Sequence, residues 1–301
     1  MPSRFCIKCS GTTISSFFNI LLKLKFNNIS IINYETVIEK FEDELNLLNS
    51  FENKNTAERY FTLTPFFISY VFNSVESNTK LIYLDADIYL YNNIIEELNT
   101  MKNYDVLLIP HLYEEEDKFK YFKYGIYNVG LISIKVNLNG SKIIDWWKAS
   151  CVNWCYDRIE SNRYADQKYL DFIPIIFENI KEITIPGFNV APWNTKYRKL
   201  SYLNNNYFIN KNHKLYFFHF HGLKNYSHIW VTNFFIYQQS IKTNGYLNLY
   251  KDYINLLYKI DSNYNLLQNS KLLKISKVRF SIMKLIYRLI FNIITFNVLV
   301  K

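Results

Sequence analysis

Glycine is scarce in this 301-residue chain: there are seven, and none is followed by Asp. Neither a GxGxxG nor a Walker-type glycine loop occurs, which excludes the two common backbone cradles for nucleotide phosphates. Cysteine is nearly as rare, with only Cys6, Cys9, Cys151 and Cys155. One CxxC without a second pair falls short of a structural zinc site, and Cys151 and Cys155 stand one turn apart on a predicted helix. Free thiols of a reducing compartment are the reading. Residues 1–16 lack an apolar stretch behind a basic start, so no export signal is read there and a cytoplasmic location is expected.

Acidic residues are also in deficit, 26 against 35 basic ones, leaving a net charge of +9. That balance favours a polyanionic partner: a membrane surface, a nucleic acid or a phosphorylated substrate. No nucleic-acid-binding motif is present, so nucleic acid is not expected. The abundance of Asn, Lys, Ile, Tyr and Phe fits an A/T-rich genome, which accounts for part of the basic and aromatic excess. Hydrophobic residues at 49% and charged residues at 20% are globular values, and the length gives one or two domains with ample core.

What is present centres on KLIYLDADIYLY, residues 80–91. Leu81 to Leu84 form a short, continuous run of strand-forming residues, the pattern of a strand buried on both faces. The run stops on Asp85 and Asp87. Ligands of open α/β sheets collect at the carboxyl ends of strands, and two acids at period two share a side if the strand continues. Their mutual repulsion is relieved by a hard divalent cation, Mg²⁺ or Mn²⁺, shared with substrate phosphate oxygens. An isolated Asp-x-Asp is more often a solvated turn; the apolar run before it is what raises the pair above that.

Along the rest of the chain, Phe5 to Cys9 reads as a short strand, 29–32 as a strand and 35–48 as a helix. Residues 56–72 read as a helix carrying Pro65 in its first turn. After the acid pair come a short helix at 93–98, a strand at 105–109, a solvated acidic loop at 114–117 and a strand at 128–134. A helix is predicted over 143–159, its Trp146, Trp147 and Trp154 facing the core. Asp166-Gln167-Lys168 enters a further helix, 183–185 is a strand and PGFNVAPWN is an ordered loop. Residues 216–220 form a buried strand ending on His219, Phe220, His221, Gly222 and Lys224. Two imidazoles and a lysine at a second strand end suit a cation and a phosphate. Alternating strands and helices predict an α/β fold.

Residues 243–268 read as an outer helical layer, and 271–301 differ in kind. That tail carries seven basic residues, no acids and an apolar stretch, 289–300, interrupted by Asn292 and Asn297. The stretch is shorter than the ~20 apolar residues a membrane span requires. A basic amphipathic helix lying on an anionic membrane surface is expected instead.

Taken in order, FTLTPFFISYVF, LIYLDADIYLY, KYGIYNVGLISIK, DWWKASCVNWCYDR, ADQKYLD, PGFNVAPWN and FHFHGLK resemble bacterial glycosyltransferases of the GT-A fold from surface-polysaccharide and lipopolysaccharide gene clusters. The likeness covers about 20–230 and extends distantly to glycosyltransferase family 8. It implies a mixed, mostly parallel central sheet flanked by helices, here lacking its first β-α-β unit. The transferase domain would be 1–250, with 1–20 matching poorly, and 251–301 a helical extension. It further implies a hexosyl-type, retaining transfer from a nucleotide-sugar donor to a glycan or glycolipid acceptor, with one Mn²⁺ or Mg²⁺. By position, Asp85, Asp87 and His219 correspond to metal ligands, Asn128, Gly222 and Lys224 to donor-binding residues, and Asp166 with Gln167 to the pair near the reaction centre. Lys224 stands two residues after the glycine where family 8 commonly has three.

Two other readings compete. A haloacid-dehalogenase-type phosphohydrolase also ends a strand on Asp-x-Asp, but requires a later Gly-Asp motif that is absent. The other is a degenerate relative that binds sugar or membrane without turnover, since fold likeness does not carry function.

Overall fold

The computed structural model describes residues 3–8, 32–226, 229–264 and 298–300. The expected strand at 29–32 and most of the basic tail lie outside them. The chain divides into two units, the first made of 1–11, 32–189 and 216–218, the second of 12–31, 190–215 and 219–301.

In the first unit, five strands form one sheet: β1 (Ser3–Lys8), β2 (Lys80–Asp85), β4 (Val106–Pro110), β5 (Tyr127–Lys135) and β6 (Ile180–Glu182). They lie in the order β1-β2-β5-β4-β6. β1 runs parallel to β2 and β6 parallel to β4, while β5 is antiparallel to both of its neighbours. Four of the five strands therefore share a direction, as a mostly parallel mixed sheet requires. β1 pairs along the whole of β2, with Lys8 opposite Asp85. Among the described residues it is the outer strand on that side.

Period-two alternation sorts the strand side chains onto two faces. Leu81, Tyr83, Val106, Leu108, Ile132 and Ile134 pack with Ile68 and Phe72 of helix α2 (Thr56–Phe72) and with Ile143, Ile144 and Trp147 of helix α5 (Leu138–Asn153). On the opposite face Ile82, Leu84, Leu107, Ile109 and Leu131 meet Leu98 of the short helix α3 (Ile95–Thr100), together with Ile183, Phe188 and Phe217. Each such aliphatic side chain contributes roughly 1.5–3 kcal/mol by leaving water. Burial on both faces is thus why β2 from Leu81 to Leu84 and β4 read as unbroken apolar runs rather than as alternating ones. A smaller cluster seats α1 (Tyr34–Phe41) on α2 through Val37, Phe41, Leu63 and Phe66.

Several boundaries differ from expectation. The helix foreseen over 35–48 stops at Phe41, and beyond it Leu45 and Asn46 adopt left-handed φ values of 55° that bar its continuation to 48. α2 starts at Thr56 behind a capping box, Asn55 accepting from the Glu58 N–H while the Glu58 carboxylate accepts from the Asn55 N–H. Pro65 therefore lies inside the helix and not in its first turn, a position costing about 3 kcal/mol that burial of Leu63, Phe66 and Ile68 around it offsets. α5 begins at Leu138 and ends at Asn153, so Cys155 falls beyond it. The strand foreseen at 183–185 is instead 180–182, the register in which β6 pairs with β4.

The second unit is built from short pieces. β7 (Leu200–Leu203), β8 (Asn206–Ile209) and β9 (His213–Lys214) form an antiparallel meander. β11 (Lys224–Tyr226), β12 (Ile229–Val231) and β13 (Val298–Val300) form a second one. Val298–Val300, the described part of the expected amphipathic stretch, form a strand on β12. Helix α7 (Tyr246–Tyr264) is tied down by Tyr246, whose hydroxyl donates to the Arg198 carbonyl at 2.8 Å. Phe220 stacks on Tyr253 with ring centroids 3.8 Å apart and meets Tyr250 edge-on. No described helix is long and apolar enough to cross a membrane.

Candidate functional site

Strand register alone gathers one set of candidates. Leu84 of β2 faces Leu131 of β5, and Ile109 of β4 faces Asn128. The carboxyl ends of β1, β2 and β4 and the amino end of β5 therefore open on the same edge of the first unit's sheet. Asp85 ends β2, half-buried, and its Oδ1 accepts a 2.6 Å hydrogen bond from the Tyr83 hydroxyl. Ala86 and Asp87 form a turn before β3 (Ile88–Leu90) resumes. The strand does not run straight through the acid pair, so the turn and not strand alternation aims Asp87. The backbone N–H groups of Tyr91 and Asn92 both donate to the Tyr216 carbonyl, at 2.8 and 3.1 Å, which ties the segment after the acids to the start of β10 (Phe217–His219).

On the same edge Asn128 is buried, with its amide orientation set by its partners. Oδ1 accepts from the Gly130 N–H at 2.8 Å, and Nδ2 lies 3.5 Å from His111 Nε2. His111 follows β4 directly, buried, with Nδ1 3.2 Å from the Ile126 carbonyl. A carbonyl can only accept, so Nδ1 carries the proton and Nε2 faces the amide N–H. The Pro110 carbonyl accepts from Asn189 Nδ2 at 3.0 Å, Asn189 being held at φ 49°.

Asp166 is 5% exposed, and its carbonyl accepts from the Trp147 indole at 2.9 Å. Ala165 before it has φ 46°, a left-handed conformation costing an L-residue roughly 1–2 kcal/mol. Gln167 opens a short 3-10 turn and donates through Nε2 to the Tyr124 carbonyl at 2.8 Å. Asp171 accepts from the Ile126 and Tyr127 N–H groups. The Asp166-Gln167 turn is thereby stitched to the segment that leads into Asn128. Beneath this region Cys151 and Cys155 are buried and free, and burial first, then the Cys155 contact, pushes the Cys151 thiol well up.

The second unit holds the other candidates. His219 is buried, its N–H donating to the Val190 carbonyl at 2.8 Å. His221 is exposed, and Trp193 lies edge-on to both imidazoles, at 5.3 and 5.5 Å between centroids. Gly222 has φ 70°, and a Cβ placed there would stand 1.9 Å from Asn233 Nδ2. Its smallness serves the close approach of Asn233 as well as the turn. Lys224 is exposed at the start of β11.

The sequence reading passed over His111, Trp193 and Asp171. His111 carried a usable signal, since like Asp85 it is the first polar side chain after a buried apolar run. Asp171 carried none, because only the fold brings it to Ile126.

No protein-family model matches the chain. Among curated proteins it is similar to two uncharacterised proteins of Bacillus subtilis strain 168. YfnF is 28% identical over 211 residues, 68% of either chain, and YfnD is 22% identical over 178 residues, 58% of this chain and 57% of the relative. Among solved structures it is similar to the galactosyltransferase LgtC in complex with donor and acceptor sugar analogues (13% identity, TM-score 0.38, covering 63% of this chain and 76% of that one). It is also similar to a glycosyltransferase involved in glycosylation of the major capsid of PBCV-1 (12%, 0.40, 74% and 95%) and to mouse xyloside xylosyltransferase 1 (12%, 0.38, 62% and 73%). At such distances the chemistry has to be argued from the residues.

Proposed function

We propose that the chain is a metal-dependent glycosyltransferase of the GT-A type, moving a sugar from a nucleotide-sugar donor to a polysaccharide or lipid-linked acceptor. The observation that carries this reading is a strand buried on both faces that ends in two carboxylates, on the sheet edge that also presents Asn128. The donor set suits a divalent cation by its chemistry: Asp85 and Asp87 are two carboxylates at one strand end, and His219 and His221 offer ring nitrogens within 4.8 Å of one another. Such an ion, Mn²⁺ or Mg²⁺, would neutralise the departing nucleoside diphosphate. Asp85, Asp87 and His219 would hold it, and Asn128 and Lys224 would contact the donor, with Gly222 giving the turn between. Asp166 and Gln167 would face the transferred sugar in a retaining reaction. The transferase domain would span 1–250.

Thermal-shift titration with a panel of nucleotide sugars, with and without Mn²⁺, identifies the donor. The Asp87→Ala protein should fold and lose at least tenfold in Mn²⁺-dependent donor affinity. Unchanged affinity defeats the assignment.

The basic tail would place the enzyme on an anionic inner-leaflet surface, each Lys or Arg there contributing roughly 1 kcal/mol. Sedimentation with anionic vesicles should retain the full chain and release a form ending at Gln268. Equal behaviour of the two forms refutes the attachment.

A further inference from the structure

The two histidines of the second unit carry more than the resemblance assigns them. His219 and His221 flank Phe220, whose ring is taken up by the Tyr250 and Tyr253 contacts. The strand ends at His219 and His221 lies in the following turn, yet both imidazoles stand against Trp193. Their rings stand 5.9 Å apart at 89°, both against the edge of Trp193, and their ligand nitrogens lie within 4.8 Å of each other. Two nitrogens each bound about 2.1 Å from one ion are about 4.2 Å apart when opposed and about 3.4 Å apart in a tetrahedral arrangement, so the rings must close by at most about 0.6 Å or about 1.4 Å.

Resting on the reading of a shared divalent ion, we propose that His221 is a further protein ligand beside His219. The site then takes a transition-metal cation, Mn²⁺, Co²⁺ or Zn²⁺, in preference to Mg²⁺. Imidazole nitrogen suits Co²⁺ and Zn²⁺ and is tolerated by Mn²⁺, whereas Mg²⁺ prefers oxygen donors and gives up its water reluctantly. Two imidazoles also allow the ion to bind before any nucleotide supplies phosphate oxygens. Trp193 fixes both rings and limits the entropy lost on binding.

Titration of the full-length protein with Mn²⁺, followed by electron paramagnetic resonance with and without competing Mg²⁺ and with no nucleotide present, tests this. His221 is exposed, so His221→Ala should fold, as circular dichroism would verify. It should weaken Mn²⁺ binding by at least about tenfold, the smaller end of what even indirect changes at metal sites cost, and move Mg²⁺ binding much less. If His221→Ala binds Mn²⁺ as the unaltered chain does while Asp87→Ala and His219→Ala lose it, the shared-ion reading stands and the role of His221 is overturned. If all three variants bind alike, or the unaltered chain binds none, the reading itself fails and this inference with it.

Discussion

The two units are held together by different means. In the first, aliphatic side chains of β2, β4 and β5 are buried on both faces of a continuous sheet, with α2 and α5 on one side. In the second, strands of two to four residues are pinned by ring contacts and single hydrogen bonds, such as Phe220 on Tyr253 and Trp230 Nε1 donating to the Tyr258 hydroxyl at 3.0 Å. The difference teaches where each unit's candidate residues get their precision. The carboxylates sit at the end of an element whose position is averaged over many apolar contacts. The histidines depend on a few specific neighbours, Trp193 foremost.

The largest expected effect lies in the sheet-and-helix core. Trp147 is 1% exposed, and Trp147→Ala should lower unfolding free energy by about 3–5 kcal/mol, measured by denaturant titration with far-ultraviolet circular dichroism. Replacement also removes the donor to the Asp166 carbonyl. A loss below about 1 kcal/mol, the range of surface changes, would break the account of a first unit stabilised by that core.

A smaller effect is expected from Gly222→Ala, and it isolates the second unit's reliance on single contacts. The left-handed φ costs an alanine roughly 1–2 kcal/mol, and the clash with Asn233 adds to it. In the Gly222→Ala, Asn233→Ala double variant the clash should vanish and the φ cost remain. A double-mutant cycle reads the difference as coupling of about 0.5–3 kcal/mol. Strict additivity would show that Asn233 yields freely, and that the turn is less determined than the distances indicate.

The smallest effect is a pH dependence at the sheet edge far from the acids. Burial pushes the Lys80 ammonium down from its ordinary 10.5 to about 8, with Lys135 adding to the shift and Asp105 opposing it. Between about pH 8 and 10.5 the unfolded chain keeps a proton that the folded chain has released, so Lys80 contributes a rise in stability with pH across that window. Lys80→Met should flatten the rise and raise stability at pH 7. An unaltered slope in the denaturation midpoint would place the ammonium in water.

Much of the first unit was legible because its physics is local in sequence. Leu81 to Leu84 could be read as a buried strand from composition alone, and the sheet bears this out. The α2 end points were also available, although Pro65 pointed to a later start than the Asn55 and Glu58 cap imposes. Boundaries failed where a backbone had to turn left-handed without glycine, as at Leu45 and Asn46, because no side chain announces that conformation. The second unit was read less well. A three-residue strand is too short to show a period, and Val298–Val300 became a strand only because β12 offers it an edge.

The sequence by itself determined that an apolar strand ends on Asp85 and Asp87, that aliphatic runs would pair into an α/β sheet, and that His219 and His221 close a second buried run. These follow from hydrophobic burial and alternation, which act between near neighbours in the chain. Only the tertiary structure decided that β1 lies beside β2, that Asn128 and His111 share the sheet edge with Asp85, and that Asp171 holds the segment before β5. Those placements rest on strand register and on hydrogen bonds between residues some 45 apart, as from Asp171 to Ile126. Such partners are chosen by the geometry of the assembled sheet, and no local pattern encodes them.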